Sequence, residues 1–337
     1  MPQLPQLTYI YDMPASHIVD FWSDALIASL AQGAIRICMA VRDTSAERAA
    51  LVGRLNRAHI PVVAWIVPAD GDAPQTYDMH TAVAVASRYA AVHAWTTAHA
   101  LQWDGIGIEI SPDVRDAVHF GDVPAVDTAA LLGRITNRWH IDDATAAYDA
   151  VLAQMRADGY RVESYELPFV RDDRVSGTTL ARRLLGLPAL NADHVVVRIH
   201  SSHARPYGPG LIAAYAPECA AVSVGDLTLA DNDQPLSVAE FWRDMQHLSA
   251  CGVPHIYLAG MPTLIANGWH SELCAGGWVR RSLPPRDEVQ HQVARMRAGV
   301  RALLWAGARP QVMLPLLIPV LLLVRRMVWR HDERASR

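Results

Sequence analysis

Short apolar runs rich in β-branched residues alternate along the chain with longer segments of helical period. Each run ends in a turn and leads into an amphipathic segment. Strands that alternate with helices in this way indicate parallel βαβ units. The predicted strands cover residues 8–12, 34–41, 61–68, 103–110, 161–168, 194–201, 220–226 and 254–260.

Eight such units within about 260 residues predict a closed (β/α)8 TIM barrel, because a doubly wound sheet usually has fewer strands. Beyond the eighth strand, we expect residues 261–285 to form a long loop over one barrel end, since glycine and proline punctuate them. The amphipathic segment 287–306 is predicted to be the eighth helix. The sequence therefore indicates a single barrel domain over residues 1–306 and a C-terminal tail over residues 307–337. The other predicted helices cover residues 16–32, 45–58, 79–100, 142–158, 178–185, 210–216 and 237–250.

Thirteen consecutive apolar residues, 312–324, dominate the tail, and Arg325 and Arg326 follow them. A helix that spans a bilayer needs about 20 apolar residues, so this run is short for a span. Two interpretations remain: a segment packed against the barrel or a partner, and a membrane tail or interfacial anchor. We predict membrane association or self-association through residues 312–324, because an apolar run this dense has to be shielded from water.

Residues 1–7 contain no basic stretch followed by an apolar run, so no secretory signal is visible. We expect the folded part in the cytoplasm and, if the tail meets lipid, attached to a membrane through it. The formal charge of −4 supplies no basic surface for nucleic-acid phosphates, so nucleic acid is not an expected partner.

All 30 basic residues are arginine. Schiff-base aldolases, pyridoxal-phosphate enzymes and P-loop nucleotidases in their usual form are therefore excluded, because each needs a lysine amine. The four cysteines form no CxxC pair, so no zinc knuckle or redox motif is predicted. We expect neither a metal nor a cofactor.

The fourth strand carries the clearest candidate residue. Barrel enzymes hold their active sites at the carboxyl ends of the strands. In the segment WDGIGIEISPD, the period of two places Gly105, Gly107 and Glu109 on the inner face and three isoleucines on the outer face. A carboxylate in such a position is costly unless it is solvated, paired or functional, so Glu109 is predicted to be catalytic.

The same segment resembles the fourth strand of family-18 chitinases and related glycoside hydrolase barrels, whose pattern runs Asp-Gly, apolar, Asp, apolar, Asp, any residue, Glu. Asp104 and Gly105 match its opening, whereas Gly107 and Glu109 replace the two inner aspartates. Ser111 occupies the position of the family's catalytic acid. The resemblance covers about ten residues and implies a sugar-processing barrel, without carrying over the chitinase mechanism.

The fifth strand supplies a second candidate carboxylate. Glu163 and Glu166 are three residues apart and fall on opposite faces of a strand. Glu166 lies nearer the carboxyl end, in phase with Ser164, and is predicted to point inward. It would then lie within about 5–10 Å of Glu109, the range for two carboxylates that share glycoside hydrolysis. The alternative is that these acids form ion pairs with arginines, Arg198 or Arg42, across the barrel.

Further polar residues end other strands. On the sixth strand, Arg198 and His200 share the inner phase; an arginine can hold an anion by a bidentate contact, and a histidine can carry a proton near neutral pH. Asp12, Trp65 and Tyr257 end the first, third and eighth strands, where aromatic rings suit stacking on a sugar, although core packing is the commoner role of such rings.

The sequence therefore predicts a glycoside-hydrolase-like barrel with Glu109 and Glu166 as catalytic residues. Asp12, Trp65, Arg198, His200 and Tyr257 are predicted to bind a carbohydrate or another small polar ligand. The alternative function is a non-hydrolytic, membrane-associated binding or scaffold barrel.

Overall fold

Eight parallel strands close into a barrel in which each strand pairs with its neighbour along the chain, and the eighth pairs with the first. The computed structural model describes residues 4–70, 76–112, 133, 138–202, 204–225, 236–279, 287–309 and 311. The predicted (β/α)8 barrel is confirmed. The strands are β1 Gln6–Tyr11, β2 Arg36–Val41, β3 Val62–Ile66, β4 Gly105–Glu109, β5 Val162–Glu166, β6 His194–Ile199, β7 Ala221–Val224 and β8 His255–Ala259.

Helices follow the strands and cover the barrel from outside. Within the described part of the chain, the short 3-10 helices Ala15–His17 and Ala216–Glu218 accompany them. The α-helices are α1 Ile18–Phe21, α2 Asp24–Gln32, α3 Ala46–Arg57, α4 Ala82–Ala98, α5 Arg138–Ala157, α6 Pro168–Ser176, α7 Leu180–Leu185, α8 Gly208–Tyr215, α9 Val238–Ala250, α10 Met261–Ala266, α11 Trp269–Ala275 and α12 Glu288–Gly307.

Alternate residues of each strand point to opposite faces, so the barrel has two kinds of core. The outward residues pack under the helices in two large apolar clusters, with Ile106 and Ile108 of β4 among them. A smaller cluster fills the barrel itself and includes Cys38, Tyr165 and Tyr257. The prediction that the β4 isoleucines face the helices is confirmed.

The helix predicted over residues 287–306 is present as α12, but the prediction that it is the eighth helix of the barrel is wrong. Two short helices, α10 and α11, follow β8 within the segment predicted to be a loop, and α10 packs against β1. His270 of α11 bridges the Tyr9 hydroxyl and the Ser29 hydroxyl, each at 3.0 Å, which holds α11 against β1 and α2. The eighth position of the helical shell is therefore filled before residue 287.

The helix α12 packs on α8 and α6, on another side of the barrel. Asp172 of α6 is fully buried and accepts hydrogen bonds from Arg297 and Arg301 of α12 at 3.0 and 2.7 Å. The Tyr215 hydroxyl of α8 donates to the same carboxylate at 2.6 Å. These charge-assisted bonds explain why α12 lies there, since a buried carboxylate needs paired donors.

The amino end of the barrel encloses a charged cluster. Arg36, at the start of β2, forms ion pairs with the buried Glu163 at 2.7 Å and with Asp104 at 2.5 Å. The Tyr257 hydroxyl accepts a hydrogen bond from Arg36 and donates one to Glu163 at 2.9 Å. Together these contacts give the buried Glu163 carboxylate a cation and a hydrogen-bond donor within the barrel.

Residues 312–324, on which the prediction of membrane or self-association rests, lie outside the described part of the chain. Among the helices that are described, none has the length and apolar character needed to cross a membrane.

Candidate functional site

A cavity of about 160 Å³ lies at the carboxyl ends of the strands. Five residues singled out from the sequence line it: Asp12, Trp65, Glu109, Arg198 and His200. They come from four strands or the loops directly after them, which is where barrel enzymes hold their reacting groups. The rest of the lining consists of Ile10, Cys38, Tyr165, Ser223, Ala259 and Gly260.

Glu109 reaches this cavity as the last residue of β4. Of the two glycines below it on the same face, Gly107 leaves the space that the Tyr165 side chain of β5 fills, and Gly105 lies against the Arg161 backbone and the Arg36 guanidinium. Its carboxylate forms an ion pair with the guanidinium of Arg198 on β6. The interpretation that an acid of the fourth strand pairs with Arg198 is therefore confirmed, and the pair brings one negative and one positive charge to the cavity wall.

Asp12 places a second carboxylate on the cavity. Arg42 donates to both of its oxygens, at 2.5 and 2.9 Å, in a bidentate contact. Arg42 also reaches Asp70 at 3.2 Å. The hydrogen bond to Asp12 and the charges of both aspartates raise the pKa of Arg42, so the guanidinium keeps its charge and fixes the orientation of Asp12.

Aromatic side chains line the inner end of the cavity. The rings of Trp65 and Tyr165 meet edge to face with their centroids 5.7 Å apart. The Tyr165 hydroxyl lies 3.0 Å from the Cys38 thiol and donates to Glu163 at 3.4 Å. Burial raises the pKa of Tyr165 well above its ordinary value, so this hydroxyl stays protonated.

The Cys38 thiol also faces the cavity. Complete burial raises its pKa to about 12, because the charged thiolate would lose its solvation. The thiolate is the nucleophilic form of cysteine, so Cys38 is an inert wall residue.

Two buried polar atoms of the lining have no hydrogen-bond partner among the described residues: the indole nitrogen Nε1 of Trp65 and the hydroxyl Oγ of Ser223. Ser223 is 1% exposed. A buried polar group without a partner costs about 1–3 kcal/mol, so a bound molecule that supplied partners would offset this cost.

Glu166 does not reach the cavity, and the prediction that it points inward beside Glu109 is wrong. Tyr165 takes the inward position of β5, which turns Ser164 and Glu166 to the helical side. The Glu166 carboxylate accepts hydrogen bonds from Arg174 of α6 at 2.5 Å and from Ser164 at 3.1 Å. This residue therefore links β5 to α6, and the two glutamates do not share the cavity.

Tyr257 is another predicted ligand-binding residue that lies elsewhere. It is fully buried inside the barrel and is not part of the cavity lining. Its hydroxyl is held by Arg36 and Glu163, as described above, and its ring packs 6.1 Å from that of Tyr165. Tyr257 therefore supports the inner end of the cavity and does not face a ligand there.

Tyr165, Cys38 and Ser223 are lining residues that the sequence reasoning missed. Each lies at an inward position of its strand, so a correct phase for β5 and β7 would have found two of them. Among the described residues, no group of three or more histidine, cysteine or acidic side chains is arranged to hold a metal ion.

No protein-family model and no curated protein matches this chain. Among solved structures, the PgaB (BpsB) glycoside hydrolase domain from Bordetella bronchiseptica is 11% identical, with 81% of this chain and 98% of that chain covered and a TM-score of 0.47.

Two further solved structures also match the chain. A fungal endo-β-N-acetylglucosaminidase from glycosyl hydrolase family 18 is 13% identical, covering 83% of this chain and 100% of that one, with a TM-score of 0.46. An L-ribulose 3-epimerase is 15% identical, covering 93% and 98%, with a TM-score of 0.40. These proteins include hydrolases and an epimerase.

Proposed function

We propose that this barrel binds a carbohydrate in the strand-end cavity and hydrolyses its glycosidic bond, with Glu109 and Asp12 as the two carboxylates. The observation that carries the proposal is that one cavity joins these carboxylates to Arg198, His200 and the ring of Trp65. This set combines the charged groups of glycoside hydrolysis with the aromatic surface that suits a sugar ring.

Glycoside hydrolysis passes through a transition state in which the sugar ring gains positive charge. A carboxylate next to the ring stabilises that charge, and Glu109 has the position for this role at the end of β4. Arg198 holds the Glu109 side chain in place through their ion pair. The second carboxylate, Asp12, is fixed by its bidentate contact with Arg42.

The reaction also needs a proton for the leaving oxygen, while water supplies the hydroxyl group that adds to the sugar carbon. His200 lines the same cavity. An imidazole changes its charge near neutral pH and can therefore give and recover this proton. We assign His200 as the proton carrier of the proposed reaction.

A second candidate function is sugar binding without cleavage. The observation that favours it is that both cavity carboxylates are engaged by arginines, Glu109 by Arg198 and Asp12 by Arg42. Carboxylates held in this way also serve as hydrogen-bond acceptors for sugar hydroxyls.

The test is a panel of 4-nitrophenyl α- and β-glycosides of glucose, galactose and N-acetylglucosamine. Binding is measured by titration calorimetry and turnover by nitrophenol release. The proposal predicts that at least one glycoside binds and is hydrolysed, and that Glu109→Gln and Asp12→Asn each lower turnover by about 100-fold or more.

The matched control is Glu47→Gln on α3, an exposed residue outside the cavity. It should keep the turnover of the unmodified protein. Binding without turnover supports the second candidate function. Absence of binding across the panel contradicts both.

A further inference from the structure

The inner end of the cavity is closed by Tyr165, and a glycine makes this possible. A Cβ atom built on Gly107 would lie 2.6 Å from both Cε2 and the hydroxyl oxygen of Tyr165, far inside the normal contact distance. These two residues lie on adjacent strands, β4 and β5. The absence of a side chain at position 107 therefore lets the Tyr165 ring lie across the barrel.

The Tyr165 ring has little freedom to move from this position. Its edge meets the Trp65 ring, its hydroxyl contacts the Cys38 thiol and Glu163, and the Tyr257 ring packs behind it. Tyr165 is 4% exposed. These contacts hold the ring as a fixed floor of the cavity.

The volume above this floor fits one small ring. The cavity measures about 160 Å³, whereas pockets for drug-sized ligands measure about 300–1,000 Å³. A cavity of about 150 Å³ in another protein holds one benzene molecule. A single sugar unit is therefore the part of a carbohydrate that this space can enclose.

The two unpartnered polar atoms indicate the chemistry of that ring. The Trp65 nitrogen can only donate a hydrogen bond, and the Ser223 hydroxyl can donate or accept one. Both atoms are buried in the lining. A ring that carries hydroxyl oxygens satisfies both, whereas an apolar ring leaves them without partners.

We infer that the site takes a sugar unit that carries no substituent on the side facing Tyr165, and that Gly107 determines this specificity by admitting the Tyr165 ring. The inference rests on the proposed function and adds the class of substrate to it. A closed floor leaves no room for a further group on that side of the bound unit. The rest of the substrate must therefore extend through the cavity mouth.

The first experiment compares two forms of the 4-nitrophenyl glycoside that binds best in the panel above. One form has free hydroxyls, and the other has oxygens 4 and 6 of the sugar joined by an ethylidene group. The inference predicts that the blocked form binds at least about tenfold more weakly, because the added group meets the Tyr165 floor.

The second experiment changes the floor. Tyr165→Leu removes the ring and should restore binding of the blocked glycoside. Gly107→Ala forces the ring out of its place and should weaken binding of the free glycoside at least about tenfold. The control is Gly53→Ala on α3, where the added Cβ would lie 3.5 Å from Arg57, an ordinary contact.

The double variant Gly107→Ala, Tyr165→Leu is the control for a folding defect in Gly107→Ala. In this variant the alanine no longer clashes with the Tyr165 ring. It should bind the free glycoside again. Equal binding of the free and blocked glycosides by the unmodified protein would overturn this inference while leaving the proposed function intact. If no glycoside in the panel binds, the proposed function is wrong and the inference falls with it.

Discussion

Glu109 of β4 and Arg198 of β6 form an ion pair. Tyr165 lies on β5, the strand between them. Their side chains are 16% and 26% exposed, so water reaches both groups only in part. The pair therefore lies between a surface contact, worth about 0–1 kcal/mol, and a buried pair whose disruption costs about 3–5 kcal/mol.

This position predicts measurable coupling between the two residues. In a double-mutant cycle with Glu109→Gln and Arg198→Gln, the free energies of unfolding from urea titrations should give a coupling of about 1–3 kcal/mol. The physical reason is that either single change leaves a partly buried charge without its partner. Additive effects within about 0.3 kcal/mol would show that the pair contributes nothing to stability.

The charged cluster inside the barrel predicts a larger effect for Glu163. Glu163→Gln leaves Arg36 buried without its inner partner, although Asp104 still contacts the guanidinium. We expect the free energy of unfolding to fall by about 3 kcal/mol, the lower end of the range for a broken buried pair. The control Glu47→Gln should cost less than about 1 kcal/mol. Similar losses in the two variants would contradict the structural role of Glu163.

Acid should loosen the attachment of α12. Burial raises the pKa of Glu218, but hydrogen bonds from Arg301 and Arg297 outweigh burial and lower it from the ordinary value of 4.5 to about 2. The folded state then binds fewer protons than the unfolded state between these values. The stabilisation is therefore complete above pH 4.5 and is lost as the pH falls towards 2.

Two variants test this pH dependence in urea titrations between pH 2 and pH 7. Glu218→Gln should be less stable than the unmodified protein at pH 7 and should lose stability less steeply below pH 4.5. Arg301→Gln removes a donor instead of the acceptor. It should likewise make the free energy of unfolding depend less steeply on pH over the same interval. An unchanged slope in both variants would contradict the assignment of the acid response to this cluster.

The tail over residues 312–324 remains a proposal of membrane or self-association. A chain that ends at Arg309 keeps α12 and should lose flotation with liposomes, or oligomers in detergent-free sizing, that the full chain shows. Residues before this point include every strand of the barrel. A full chain that stays monomeric and free of lipid, together with a destabilised shortened chain, would show that the tail packs on the barrel.

The barrel could be predicted because two features of the sequence indicate its strands. Apolar runs rich in β-branched residues mark most of the strands, and in β4 the strict alternation of glycine or glutamate with isoleucine also fixes the phase. The inner position of Glu109 follows from that phase, and the alternation of β6 predicts the same for Arg198 and His200.

Glu166 shows why the same reasoning failed on β5. The strand reads VESYE, in which Val162 and Tyr165 are three residues apart and fall on opposite faces, as Glu163 and Glu166 do. Neither face is apolar throughout, so the sequence pattern does not show which face of β5 points into the barrel. The packing of the Tyr165 ring into the space beside Gly107 decides the orientation, and that is a tertiary contact.

The helices after β8 were missed for a different reason. Gly260, Gly268 and Gly276 adopt the left-handed backbone conformation that glycine favours, with φ of 85°, 71° and 72°. They begin and end α10 and α11, so the glycines that suggested a loop are the boundaries of two short helices. Helices of six and seven residues are too short to display a period in the sequence.

The central claim is that the cavity beside Glu109 binds a sugar, and the indole N–H of Trp65 reports on it directly. The measurement is a ¹⁵N-indole NMR titration with the glycosides of the panel, in which the Trp65→Phe variant identifies the Trp65 signal. The account predicts that this signal shifts in a saturable way and that Glu109→Gln weakens the apparent affinity. A glycoside that binds in calorimetry while the Trp65 signal stays unmoved would contradict it, as would a panel in which no glycoside shifts the signal.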